Sequence, residues 1–325
     1  MAEVVVSENI TGTAMDTLRA EFDVAFEPDA WQQPDRLKRL LADARALIVR
    51  NQTRVTGELI QAAGKLEIIA RAGAGLDNVD DAAASAAGIT VSYTPDANSV
   101  SAAEMTIGLA LTLARKISAA DRDTRAGEWN RRTFTGVELM GKTLGIVGLG
   151  RIGTLVARRA RAFGMTIIAH DEFLAPDAPR LEELEAQLVG LDELLGAADI
   201  VSCHVPLTEQ TAGLFDYHRF CRMKPSGLFL NTSRGEVVDE QGLYRALSEQ
   251  RLAGAALDVR QTEPPELSPL CSMDNVVLTP HIAAFTSEAQ QRVVAAVCRD
   301  VRAVLNGQPA IDYANFARPE RAEPR

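Results

Sequence analysis

The segment from Thr143 to Asp171 limits what this chain can fold into more than any other. It reads Thr143-Leu-Gly-Ile-Val147, then Gly148-Leu-Gly150-Arg-Ile-Gly153, then a helical stretch to Phe163, then Met165-Thr-Ile-Ile-Ala-His-Asp171. Strand, glycine turn, helix, strand and terminal acid follow in the order of a dinucleotide-binding βαβ unit. Gly148 lets the chain turn sharply off its strand. Gly150 lets a pyrophosphate approach the backbone, and Gly153 lets the helix pack close. Arg151 and Ile152 open that helix, whose first N–H groups and positive dipole end face the phosphates. Asp171, 18 residues beyond Gly153, can accept hydrogen bonds from a ribose diol and repels a 2′-phosphate. The segment therefore predicts NAD rather than NADP.

With 325 residues the chain has room for about two domains. A net charge of -10 argues against a general nucleic-acid footprint. The opening Met1-Ala-Glu-Val-Val-Val-Ser-Glu8 lacks the basic and long apolar parts of a secretory signal, and no run reaches the length of a membrane span. A cytoplasmic protein without membrane partners is expected. Cys203, Cys221, Cys271 and Cys298 form no CxxC pattern, so free thiols are expected and no metal site.

The rest of the chain repeats a βα rhythm, which predicts α/β architecture with parallel sheets and right-handed crossovers. Strands are expected at 4–6, 23–26, 46–50, 66–71 and 89–93. Helices are expected at 13–21, 34–43 and 56–63, with another capped near Asn78. The turn Gly73-Ala74-Gly75 has the first two glycines of a dinucleotide loop but Asn78 at the third position, so its N–H groups suit at most a small anion. Ser99–Ile117 reads as one long helix with a Ser101/Glu104 capping box and a wide apolar side, buried or shared with a second subunit. A polar arm follows from Asp121 to Gly141. Further strands are expected at 199–206, 227–235, 253–259 and 275–281, and a final helix at Ser287–Leu305. The tail beyond Pro309, with Pro319 and Pro324, is expected to lose order at its end.

Ligands of doubly wound sheets bind beyond the carboxyl ends of the strands. Arg234, Glu263 and His281, each after a strand of the cofactor half, should converge there. A guanidinium at Arg234 can fork onto a substrate carboxylate and polarise the neighbouring carbonyl. His281 can exchange a proton with that carbonyl oxygen, and Glu263 can hold the imidazole and favour its charged form. This is the equipment for hydride transfer between NADH and a 2-keto acid. His204, also at a strand end, reads as a wall of the cofactor pocket. His170 and His218 read as structural or surface residues.

Gly148–Gly153 with Asp171, His204-Val-Pro-Leu-Thr208, Asn231-Thr-Ser-Arg-Gly235, Leu257-Asp-Val259 with Thr262-Glu-Pro264, and Thr279-Pro-His-Ile282 resemble the D-isomer-specific 2-hydroxyacid dehydrogenase family over nearly the whole chain. The resemblance implies that Arg234, Glu263 and His281 are catalytic. It also implies a Rossmann-type NAD domain, residues 99–282, inserted into a flavodoxin-like substrate domain of residues 1–98 and 283–325. The long helix and the Trp129 arm resemble the family's dimer contacts, so a homodimer or higher homo-oligomer is expected. Candidate cofactor contacts also include Val205, Pro206, Thr211, Thr232, Ser233, Asp258 and His281. Candidate substrate contacts are Arg50, Asn51, Ala74, Gly75, Arg234 and His281.

Val49–Thr56, Arg71–Asp80 and Trp129–Leu139 resemble the phosphoglycerate dehydrogenase branch, where Arg50, Arg71, Arg131 and Arg132 would suit a doubly charged substrate. Asn51 stands in place of a more usual serine, and Arg260 in place of an aromatic residue after Asp-Val. Both leave hydroxypyruvate, glyoxylate and sulfolactate chemistries open. NAD-sensing corepressors share the resemblance, whereas formate dehydrogenases resemble a version with Gln in place of Glu263. The longer enzymes of this branch carry a regulatory domain that this chain stops short of, so serine feedback through one is not expected.

Overall fold

The structure, a computed structural model, describes residues 2–319. They form two compact units, one within residues 1–98 and 285–325 and one of residues 99–284.

The first unit runs β1 (Val4–Val6), α1 (Thr13–Glu21), β2 (Val24–Phe26), α2 (Pro34–Leu41), β3 (Ala46–Val49), α3 (Gly57–Ala62), β4 (Ile68–Arg71), α4 (Asp81–Ala86) and β5 (Thr90–Ser92). The closing helix, Ser287–Leu305, returns to this unit. The strands are all parallel in the order β2-β1-β3-β4-β5, the flavodoxin-like arrangement. β1 and β3 are apolar throughout because helices cover both faces. Val4, Val6, Ile48 and Ile68 meet Met15, Leu18 and, from the closing helix, Val293, Val297 and Val301. The alternate residues Val5, Leu47, Ile69 and Val91 meet Leu37, Leu41, Leu59 and Ile60. Each such buried side chain contributes about 1.5–3 kcal/mol. Residues 310–317 shield the β5 edge: Ser92 bridges Tyr313, and Asn315 Oδ1 accepts the Val91 N–H at 2.9 Å. The end of the tail, from 320 onward, lies outside the described residues.

The helix cap expected near Asn78 falls two residues further on. The helix after the Gly73 turn is capped by Asp80, whose Oδ1 accepts the Ala83 N–H at 2.9 Å. Asn78 is drawn away by two carbonyls, donating at 2.7 Å to both Arg50 O and Thr53 O.

The second unit runs α5 (Ser99–Ala114), α6 (Ile117–Arg125), β6 (Thr143–Val147), α7 (Arg151–Ala162), β7 (Thr166–His170), α8 (Pro179–Glu183), β8 (Ala186–Leu188), α9 (Leu191–Ala197), β9 (Ile200–Cys203), α10 (Tyr217–Phe220), β10 (Leu228–Asn231), α11 (Glu240–Ser248), β11 (Gly254–Leu257) and β12 (Val276–Leu278). Its seven parallel strands lie in the order β12-β11-β10-β9-β6-β7-β8. Both wings diverge from the β6–β9 pair, as in a Rossmann sheet. One face packs α5 and α7 through Ala103, Ile107, Ala110, Val156 and Ala160. The other packs α9 to α11 through Leu194, Phe220, Leu243 and Leu247. Edge strand β8, Ala186-Gln-Leu188, has too little pattern to be read from sequence.

The long helix expected at Ser99–Ile117 is α5, which ends at Ala114, and a second helix, α6, follows it directly. Lys116 adopts a left-handed φ of 55° between α5 and α6, and α6 occupies the start of the expected arm. The Ala114 carbonyl accepts the Val137 N–H at 2.9 Å, so the arm caps α5. Nor does Glu104 serve a capping box: α5 begins at Ser99, and Glu104 pairs with Arg159 at 3.3 Å. No helix among the described residues is long and apolar enough to cross a membrane.

Candidate active site

The Gly148–Gly153 turn leads from β6 into α7, and its three glycines are required for three different reasons. Gly148 has φ 93°, and a Cβ on it would lie 2.9 Å from the His204 carbonyl carbon. A Cβ on Gly153 would overlap the Gly148 carbonyl. A Cβ on Gly150 would meet nothing within 4 Å, so the space above that residue is open. No side chain caps α7 at Gly150, which leaves the helix N-terminus facing that space. Arg151 is exposed and Ile152 half-buried. Asp171 follows β7. Its Oδ2 accepts the Leu149 N–H at 2.9 Å and its Oδ1 the Phe173 N–H at 3.0 Å, with lone pairs left for a diol. Arg180, which carries no sequence signal, donates to Leu149 O at 2.8 Å from α8. An open, uncapped helix start with an acid at the next strand end fits a dinucleotide.

The loop after β9 walls this turn. His204 donates its N–H to Val147 O at 2.8 Å, and its Nε2 pairs with Ser202 Oγ at 2.8 Å. His204 Nδ1 is buried with no partner. Thr211 ties the Val205-Pro206 segment down, donating to Pro206 O at 2.6 Å. After β10, buried Asn231 accepts from the Ser233 N–H and Oγ and donates to Arg234 O at 2.8 Å, which shapes the turn that presents Arg234. Thr232 pairs with Thr106 of α5 at 2.9 Å. Gly235 must be glycine because a Cβ there would overlap the Arg260 carbonyl, so the Arg234 turn and the loop after β11 are in contact.

That contact gathers the charged groups. Glu263 Oε2 meets His281 Nδ1 at 2.7 Å, and its Oε1 accepts the Arg260 N–H at 3.0 Å. Burial pushes the Glu263 carboxyl upward, but the His281 hydrogen bond, the Arg260 N–H and the charges of His281 and Arg234 outweigh it and leave it below the ordinary value. His281 itself holds a left-handed φ of 54°, which costs about 1–3 kcal/mol in a residue with a side chain. Asp258 imposes it. Its carbonyl accepts the His281 N–H at 2.7 Å, and its carboxylate takes the N–H groups of Ile282 and Ala283 at 2.9 and 2.8 Å and the Thr279 hydroxyl at 2.6 Å. Asp258, assigned from sequence to the cofactor, here holds the backbone of the turn that carries His281.

The remaining sequence-chosen residues lie in other places. In the first unit, buried Glu8 accepts the N–H groups of Arg50, Gln52 and Thr53 at 2.7, 3.1 and 2.9 Å. This fixes the loop that carries Arg50 and exposed Asn51 beyond β3. The Arg50 guanidinium stacks on Phe285, 4.4 Å from the ring centroid, and burial pulls its pKa below the ordinary value, with Glu8 opposing. Arg71, at the end of β4, lies where a Cβ on Gly73 would overlap it. Ala74 and Gly75 are half-buried beside that turn. Arg131 and Arg132 are exposed on the arm of the second unit.

His204 makes stability depend on pH. Burial lowers its pKa from 6.5 to about 4. Between those values the unfolded chain binds a proton that the folded chain refuses, so stability is complete above pH 6.5 and falls as the pH drops toward 4. At about 1.36 kcal/mol per unit, the loss reaches roughly 3 kcal/mol. Urea unfolding at pH 7 and pH 4 should show this loss in the parent and a correspondingly smaller one in His204→Gln; equal losses would contradict the assignment.

Residues 107–283 match the family model for the D-isomer specific 2-hydroxyacid dehydrogenase, NAD binding domain. The chain belongs to that family, and its second unit is the NAD-binding one. It is 42% identical over 315 residues to the D-3-phosphoglycerate dehydrogenase of Archaeoglobus fulgidus, covering 97% of this chain and 59% of that one. Among solved structures it is similar to the TT0316 protein of Thermus thermophilus, with TM-score 0.89 and 34% identity over 96% of this chain and 99% of that one. It is also similar to a glyoxylate reductase from Paecilomyes thermophila, with TM-score 0.87 and 32% identity over 96% and 97% of the two chains. The chain spans between half and three fifths of the length of the curated relatives it matches.

Proposed function

We propose that this chain is an NAD-dependent dehydrogenase that interconverts a D-2-hydroxy acid and its 2-keto acid, with 3-phosphoglycerate and phosphohydroxypyruvate as the pair. The observation that carries the reading is the 2.7 Å contact between His281 and Glu263, under the influence of Arg234, in an NAD-binding unit. When bound, the nicotinamide cofactor supplies or takes up the hydride. The protein does the rest. Arg234 holds the substrate carboxylate, and the imidazole of His281 gives its proton to the carbonyl oxygen, or takes it back in the oxidative direction. Glu263, kept ionised, steadies the charged imidazole. Asp171 selects a cofactor without a 2′-phosphate.

Arg50 and Arg71, with the N–H groups of Ala74 and Gly75 and the amide of Asn51, are the groups assigned to the second anion of a phosphorylated substrate. The likeness to phosphoglycerate dehydrogenases supports this choice. The likeness to a glyoxylate reductase favours the smaller keto acids as the second reading. The four free thiols fit work in the cytoplasm. Exposed Ile117, Trp129, Val137 and Met140 fit a homodimer.

Loss of NADH absorbance with phosphohydroxypyruvate, hydroxypyruvate, glyoxylate and sulfopyruvate tests the assignment. The expected result is highest kcat/KM for phosphohydroxypyruvate, with NADH preferred over NADPH. Turnover of none of them by a chain that binds NADH would end the enzyme reading, and partner capture without turnover would point to a corepressor-like role.

A further inference from the structure

We propose that Arg260, clamped by Glu240, is a positioning residue that holds Glu263 against His281. The proposal rests on the reading of Glu263 and His281 as the proton-transfer pair. The Arg260 side chain is 7% exposed and that of Glu240 16%. Arg260 Nε and Nη2 reach the two Glu240 oxygens at 2.9 and 2.6 Å, and Nη2 also donates to Ser268 Oγ at 3.0 Å. This is a forked pair, which fixes orientation as well as distance. Glu240 Oε1 takes the Gln261 N–H at 2.8 Å as well.

Glu240 opens α11, a helix capped by Asp239 and seated in the core through Leu243, Ala246 and Leu247. The loop after β11 is thereby bolted to a rigid element. Its product is the Arg260 N–H, which engages Glu263 Oε1 and leaves Oε2 to His281. Any residue but proline at position 260 has an N–H; the clamped side chain decides where it points. A buried ion pair is a poor source of net stability but a good source of defined geometry.

The test compares kcat, KM and NADH affinity in Arg260→Met, Arg260→Lys and Glu240→Gln, and repeats Arg260→Met in a Glu263→Gln background. Arg260→Met should lower kcat about tenfold with KM and NADH affinity within about twofold, because small displacements of a catalytic group act on kcat. Arg260→Lys, which keeps the charge, should recover part of the loss. In the Glu263→Gln background Arg260→Met should cost nothing further. Equal losses in both backgrounds, or KM and affinity moving with kcat, would overturn the proposal.

A second readout needs no turnover. The Nδ1 proton of His281, assigned by its loss in His281→Gln, should move upfield in Arg260→Met, and an unmoved resonance would equally overturn the proposal. If the parent reduces no keto acid, the functional reading fails by itself and this resonance still decides the clamp.

Discussion

A His281→Gln chain is expected to lose about 10³-fold in kcat for keto-acid reduction while binding NADH about as well as the parent, since a positioned acid is worth 10²–10⁴-fold. Glutamine can still donate a hydrogen bond toward Glu263, so the Asp258-held turn has no cause to collapse. What it cannot do is release a proton near neutral pH. His204 cannot stand in, because with a pKa of about 4 it is neutral at pH 7. Stopped-flow NADH oxidation gives kcat, and quenching of NADH fluorescence gives affinity. A variant within tenfold of the parent rate would remove His281 from the reaction.

Gly235→Ala is expected to cost about 10²-fold in kcat, the scale of a displacement near 1 Å at a catalytic group. The added Cβ would overlap the Arg260 carbonyl and lie 2.6 Å from Gln261 N. Both are backbone, so the Arg234 turn and the Glu263 loop must part. Overpacking of this kind also destabilises by about 1–3 kcal/mol, visible as a fall in melting temperature. Gly150→Ala is the contrasting case. Its Cβ meets nothing within 4 Å, so it should melt like the parent and lose NAD affinity alone. Equal melting and equal rates in Gly235→Ala would show that the two loops move independently.

The sequence announces features that physics writes as a local pattern. Buried parallel strands appear as Val4–Val6 and Ala46–Val49, and phosphate binding demands glycines at fixed spacing. Arg234, Glu263 and His281 could be chosen because each follows a strand and the carboxyl ends of one sheet share an edge. Features decided by a distant partner left no such mark. The Arg260–Glu240 pair depends on α11 lying beside the exit of β11. The break at Lys116 depends on Val137 claiming the Ala114 carbonyl. Asn78 sat where a cap was plausible and was taken by Arg50 O and Thr53 O. Asp258 entered the sequence reading through the family resemblance alone; that four donors from the His281 turn converge on it appears only in three dimensions.

The return of the closing helix to the first sheet sets an order of assembly during synthesis. A ribosome from which residues 1–284 have emerged has delivered all five strands of that sheet, yet Val293, Val297 and Val301, which pack with Val4, Val6, Ile48 and Ile68, are still inside its exit tunnel. Every element of the inserted unit is by then available. The part encoded in the middle can therefore mature before the part encoded first, a reversal of the usual N-terminal lead, and a nascent chain stalled short of Ser287 would display an apolar sheet face to chaperones.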